Sequence, residues 1–197
     1  MKKYIAILAL GLGLCYGAVA ADVKAIRTLG TAGKNTVYVF TSPTCPHCAT
    51  YHAEILPVLK KELADTGMAQ IKLVDVPGDK RSLAASALGR CLDDAQYETY
   101  MRAVYDNQAD WAYGEADYQT LLKGYATAAG LDSATADKCL NDEKLRETVW
   151  EQRTQMAGKY KISGLPSTVV VQGIKRKMFV GADDRQIPEI KKLFKLQ

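Results

Sequence analysis

Residues 36 to 52, TVYVFTSPTCPHCATYH, set the strongest limit on what this chain can fold into. TVYVF is β-branched and aromatic and stops at Ser42-Pro43, the pattern of a buried strand. From Cys45 onward Ile55, Leu56, Leu59 and Leu63 recur at helical spacing until Gly67, so a helix opens at the cysteines. Pro57 inside it predicts a kink rather than an end, because the apolar spacing continues beyond it. AQIKLVDV (69 to 76) reads as a second strand closed by Pro77-Gly78. Strand, helix and strand in that order imply a parallel pair with a right-handed crossover.

The pattern then changes. Residues 79 to 160 have almost no β-branched runs but several helical ones, among them RSLAASALGRCL, AQYETYMRAVYDN, YQTLLKGYATAAG and EKLRETVWEQRTQMAGKY. Strand signals return after Gly164-Leu165-Pro166, where STVVVQGIKRKMFVG reads as two strands joined near Gln172-Gly173, and a last helix follows at DRQIPEIKKLFKLQ. The order predicts an α/β chain: a thioredoxin-like fold in two parts, 21–78 and 161–197, with an all-helical domain inserted over 79–160.

The first twenty residues stand apart. A basic MKK, the apolar run IAILALGLGL and Ala-Val-Ala at 18 to 20 make a secretory signal peptide with cleavage after Ala20. Residues 4 to 21 carry no charge and just reach spanning length, but Gly11, Gly13, Gly17 and the small-residue ending favour cleavage over a membrane anchor. Leu14 before Cys15 argues against a lipoprotein site. Cleavage removes Lys2 and Lys3 and no acid, so the formal charge falls from +4 to +2, which is no nucleic-acid footprint. It also leaves four cysteines, 45, 48, 91 and 139, in an exported chain where disulfides persist.

A cysteine is a nucleophile only as its thiolate, and a helix N-terminus supplies free N–H donors and partial positive charge that favour one. Cys45 sits there. Cys48, one turn on, can reach its sulfur from a more buried position, so Cys45 is expected to attack or be attacked and Cys48 to resolve. His47 can stabilise the Cys45 thiolate further, and Pro46 restricts the turn between the sulfurs. A zinc site would need a second close ligand pair, which His47, His52, Cys91 and Cys139 do not form, so no metal is expected. His52 is read as a packed or solvated helix residue before a proton shuttle. Pro166 is either a plain strand-opening proline or a cis proline that leaves the backbone of Leu165 open to a substrate chain. Cys91 and Cys139, both in inserted helices, read by default as a staple of the insertion.

CPHC after a strand, GLPST before a late strand, and the helical segment between them resemble the DsbA-type thiol:disulfide oxidoreductases of bacterial cell envelopes. LAASALGRC and AVYDNQADW are similar to that family's first inserted helices, and LPSTVVVQG with Gly181-Ala182 to its late hairpin. The resemblance covers nearly all of the chain after residue 20. It implies that the Cys45–Cys48 disulfide, with no other cofactor, exchanges with reduced, unfolded exported proteins through a mixed disulfide at Cys45. It further implies that Pro166 is cis, that Leu165 and Pro166 receive substrate, that a quinone-linked membrane reoxidase restores the pair, and that the protein is periplasmic. Cys91 and Cys139 match a subset of the family with a second, non-catalytic disulfide. One departure stands out: many relatives keep a buried carboxylate six residues before the first active cysteine, and here Val39 occupies that place, leaving water or a more distant group to move a proton.

The expectation is a monomeric oxidase. A reductase or isomerase would run the same sulfurs the other way, and a thioredoxin-fold copper carrier would hold a soft ion between Cys45 and Cys48 but lacks a clustered third soft ligand.

Overall fold

The computed structural model describes residues 26–31 and 33–195. The expected leader, its cleavage after Ala20, and Cys15 lie outside the described residues.

Five strands form one sheet: β1 (Arg27–Leu29), β2 (Asn35–Thr41), β3 (Gln70–Asp75), β4 (Ser167–Gln172) and β5 (Lys175–Val180), in the spatial order β1-β3-β2-β4-β5. β2 lies at the centre, parallel to β3 and antiparallel to β4, and this explains why its sequence is apolar on both faces. Val37 and Val39 join Ile71, Leu73 and Val170 in one core, while Phe40 joins Val74, Val76 and Val169 in a second core on the opposite face. β1 precedes the first strand that the sequence pattern marks, TVYVF. It pairs antiparallel with β3, and Arg27 holds it from the side, donating to the carbonyls of Gly89 and Leu92 and lying over the Tyr97 ring at 4.0 Å.

The segment after the cysteines is helical from Pro46 to Ala64, but it is not α-helical throughout. Two α-helical pieces, α1 (Pro46–Thr50) and α2 (Leu56–Leu59), alternate with π-helical turns at Tyr51–Ile55 and Lys60–Ala64. The N–H of Leu56 reaches back five residues to the carbonyl of Tyr51, just before Pro57. A proline has no N–H to give to the preceding turn, and the helix widens there into a π turn.

Five helices, α3 (Lys80–Arg90), α4 (Asp94–Asp106), α5 (Tyr118–Ala128), α6 (Ser133–Asn141) and α7 (Glu143–Tyr160), with a π-helical turn at Ala109–Tyr113, lie between β3 and β4. Each α-helix starts at an aspartate, Asp79, Asp93, Asp117, Asp132 or Asp142, whose side chain accepts a first-turn N–H; such caps contribute about 1 kcal/mol each. A buried ion pair from Arg90 to Asp75, 2.7 Å, joins α3 to β3. Cys91, at the end of α3, is disulfide-bonded to Cys139 in α6.

α7 ends in a Schellman arrangement, with Ile162 N–H on the Ala157 carbonyl and Lys161 N–H on that of Gly158, and Lys161 is left-handed at φ 54°. The late hairpin turns at Gly173-Ile174, one residue later than the sequence suggested, because Gln172 still pairs with Lys175. Gly173 has φ +57° and Ile174 is not among the positive-φ residues, the φ pattern of a type II′ turn. A last helix, α8 (Gln186–Lys195), covers the sheet through Ile187, Ile190 and Phe194.

The disulfide closes a 48-residue separation, for which loop entropy gives about 4 kcal/mol. Replacing Cys91 and Cys139 together by alanine should lower the unfolding free energy by up to about that amount in chemical denaturation while leaving Cys45 alkylation intact. Lys161→Gly should stabilise the chain by up to about 1 kcal/mol in the same measurement, since glycine takes the left-handed cap without the Cβ penalty.

Candidate active site

Cys45 is the N-cap of α1, in extended backbone at φ −88°, and Pro46 follows as the first helical residue, where its missing N–H costs nothing. The carbonyl of Cys45 takes the first helical bonds, from Cys48 N–H at 3.0 Å and Ala49 N–H at 3.2 Å. Its sulfur is half-buried and that of Cys48 is buried; both are free thiols. Cys48 accepts from the Ser42 N–H at 3.5 Å, so the end of β2 supports the buried sulfur. His47 is exposed beside the pair.

The two sulfurs differ in acidity. A hydrogen bond from the Cys48 side chain, opposed by burial but helped by the backbone N–H groups of Cys48 and His47 and by the His47 side chain, brings Cys45 down to about 6. Cys48 moves the other way, pushed well above the usual thiol range by that same hydrogen bond to Cys45 and by burial.

Opposite Cys45 lies the loop before β4. The Leu165–Pro166 bond is cis. The Leu165 carbonyl lies 3.9 Å from Cys45 Sγ, and the Pro166 carbonyl is held by Gly181 N–H at 2.8 Å. Cys45, Cys48, Leu165 and Pro166 therefore meet at one end of the sheet, although 120 positions separate Cys45 from Leu165. Cys91 and Cys139 are bonded to each other elsewhere in the insertion. His52 stacks on Tyr105 of α4, 4.7 Å between ring centres, and burial brings it down to about 4, which leaves it neutral at physiological pH. Val39 is almost fully buried, in register with Leu73 and Thr168. Thr168 shares a 2.6 Å hydrogen bond with the hydroxyl of buried Tyr51, so hydroxyls, not a carboxylate, are the polar groups at this level of the core.

Sequence reasoning missed the donors that fix the cysteine loop. The Nε2 group of Gln108, a buried residue following α4, donates to the carbonyls of Pro43 at 2.7 Å and Cys45 at 3.1 Å. The Tyr113 hydroxyl donates to the Thr44 carbonyl between them, and Thr44 Oγ1 bonds Asp79 at 2.7 Å, the cap of α3. Three successive carbonyls at the end of β2 are thus held by the insertion. No local pattern marks Gln108, because its partners lie more than sixty positions upstream. Among the described residues no three His, Cys, Asp or Glu side chains cluster as a metal site.

Known proteins fit this picture. A family described as Thioredoxin (Thioredoxin_4) matches residues 27–184. A protein of Rickettsia typhi provisionally named a protein-disulfide oxidoreductase is 33% identical over 144 residues, 72% of this chain and 53% of its own; one of Rickettsia felis is 33% identical over 144 residues, 72% and 51%. The chain spans about half the length of these curated relatives. Its fold matches the crystal structures of Wolbachia pipientis alpha-DsbA1 (TM-score 0.76, 23% identity, 86% of this chain and 91% of that one) and Bacillus subtilis BdbD (0.73, 23%, 89% and 96%).

The depressed acidity of Cys45 ties stability to pH. Its folded-state value lies below that of the unfolded thiol, so the stabilisation is full above the unfolded value of 9.0 and is lost as pH falls through about 6. Denaturation of the reduced protein should show stability rising between pH 6 and 9, and the oxidised protein should not share this rise. Alkylation of Cys45 followed against pH should have its midpoint near 6, and Gln108→Leu, which leaves the Pro43 carbonyl without its donor and the Cys45 carbonyl with only its helical N–H donors, should move that midpoint upward.

Proposed function

Because the chain belongs to the thioredoxin family matched over residues 27–184, we propose that it is a thiol:disulfide oxidoreductase that introduces disulfides into exported proteins through Cys45 and Cys48. The observation that carries this reading is the unequal pair: a half-buried Cys45 of lowered pKa at a helix N-terminus, beside a buried Cys48 that keeps its proton.

The oxidised protein holds a Cys45–Cys48 disulfide. A substrate thiolate attacks Cys45 Sγ, the Cys45–Cys48 bond breaks, and Cys48 leaves with the electron pair and takes up a proton. The substrate is then bonded to Cys45. A second substrate thiolate attacks the substrate sulfur of this mixed disulfide, a substrate disulfide forms, and Cys45 departs as a thiolate. The substrate has lost two electrons and the protein has gained them. Stabilising the departing Cys45 thiolate favours the reduced protein, which makes the disulfide oxidising and supports the oxidase direction over the reductase or isomerase one. Pro46 fixes the turn, the His47 side chain and backbone N–H support the thiolate, and the Leu165–Pro166 backbone offers the edge along which an extended substrate can lie.

The partners are reduced, unfolded exported proteins and, to remove the electrons, a quinone-linked membrane thiol oxidase. The basic, apolar start with its Ala-Val-Ala ending supports a periplasmic location.

Incubating the oxidised protein with a reduced, unfolded dithiol protein and counting free thiols tests the proposal. The wild type should oxidise its substrate stoichiometrically and Cys45→Ser not at all; an inert wild type or an active variant refutes it. Equilibration with glutathione should give a potential well above the roughly −270 mV of thioredoxin, and a value near that figure would reverse the assigned direction.

A further inference from the structure

The β4–β5 hairpin tip lies at the opposite end of the sheet from the cysteines. Ile174, second residue of the turn, is completely exposed at 101%, and Met178 further along β5 is 40% exposed. Lys175 and Arg176 follow Ile174 directly and are exposed. Two other elements end at the same place. Lys34 precedes Asn35, which pairs with Gln172 at the tip end of β4, and the last turn of α8 arrives there, Gln172 donating to the Leu193 carbonyl at 3.3 Å beside exposed Lys192 and Lys195.

Acids do not neutralise the group. Lys177 and Lys191 are taken by Glu189 and Glu62, and Lys195 also lies within the field of Glu62. Among the described residues Lys34, Lys175, Arg176 and Lys192 have no carboxylate at ion-pair distance. Edge protection would explain charges on the outer strand β5, and the helix dipole would favour the lysines ending α8. Neither explains an isoleucine with all of its surface in water at a turn that leads directly into two exposed cations, at the end of the sheet where Lys34 and the last turn of α8 also lie.

We propose that this hairpin tip docks the protein on an anionic lipid surface, with Ile174 entering the interface and Lys34, Lys175, Arg176 and Lys192 against the headgroups. An apolar tip with a cationic skirt suits a bilayer, which offers hydrocarbon and negative charge together; an acidic protein would satisfy the cations and leave Ile174 wet. β4 runs six residues, roughly 20 Å, from Ser167 beside Pro166 to Gln172 at the turn. Docking by the tip therefore points Cys45 away from the lipid. This inference is independent of the direction of thiol exchange.

Vesicles of phosphatidylcholine with and without 30% phosphatidylglycerol, sedimented with the protein at low salt, test it. The wild type should bind the phosphatidylglycerol vesicles and not the neutral ones, and 0.5 M salt should release it. Lys175→Gln with Arg176→Gln should weaken binding by about tenfold or more, and Ile174→Ser by about tenfold, each with unchanged thiol alkylation as a check on folding. Ile174→Trp should gain fluorescence quenching by brominated acyl chains over the wild type. Equal binding to both vesicle types, binding unchanged in the hairpin variants, an unquenched tryptophan, or binding to polyglutamate but not to vesicles would each overturn the proposal.

Discussion

Three carbonyl oxygens in a row, those of Pro43, Thr44 and Cys45, emerge where β2 has ended, and the sheet has no donors left for them. Gln108 and Tyr113 of the insertion supply those donors, and Asp79 ties down the Thr44 side chain. Once the loop is fixed, α1 must begin at Cys45, the N–H groups that favour its thiolate point at its sulfur, and the Leu165 carbonyl faces it across the gap. The inserted helices are therefore more than a cover for the site. They set the direction of the turn that carries it, and the buried Arg90–Asp75 pair and the grip of Arg27 on the Gly89 and Leu92 carbonyls keep them seated on the sheet.

What could be read in the sequence was what depends on near neighbours. The apolar run of β2, the 3.6-residue spacing after Cys45 and the return of β-branched residues after Pro166 are local signals, and the sheet, the helical insertion and the late hairpin follow them. β1 could not be read, because three residues with an arginine among them make a strand only when β3 is alongside and carbonyls some sixty positions away receive the guanidinium. The helix at the cysteines was legible in extent and not in type, since a π turn depends on how a missing proline donor is absorbed. Gln108 was invisible: a glutamine after a helix means nothing until the loop it holds is folded against it. For Pro166 the sequence left the isomer open, and in the structure the Leu165–Pro166 bond is cis.

The core beneath the pair also shows what a single replacement changes. With Val39 between Leu73 and Thr168, the sheet carries no charge at that register, and Thr168 shares a hydroxyl bond with Tyr51. Burial raises the pKa of the Tyr51 hydroxyl, so it stays protonated and offers a dipole rather than a base. A proton bound for Cys48 has no carboxylate to wait on at Val39.

The unequal hold of the two sulfurs on their protons has an effect on the surroundings. At neutral pH the reduced pair keeps one proton, on Cys48, because Cys45 has given up its own. In the proposed oxidase direction a dithiol substrate brings two, so each disulfide formed would send one proton into the medium. By mass action the exchange is then drawn forward as the compartment becomes more alkaline, about tenfold in its equilibrium constant for each pH unit between the Cys45 value near 6 and the ionisation of the substrate thiols. If the pair runs in the proposed direction, acidification would by the same balance weaken its oxidising reach with no residue changing place.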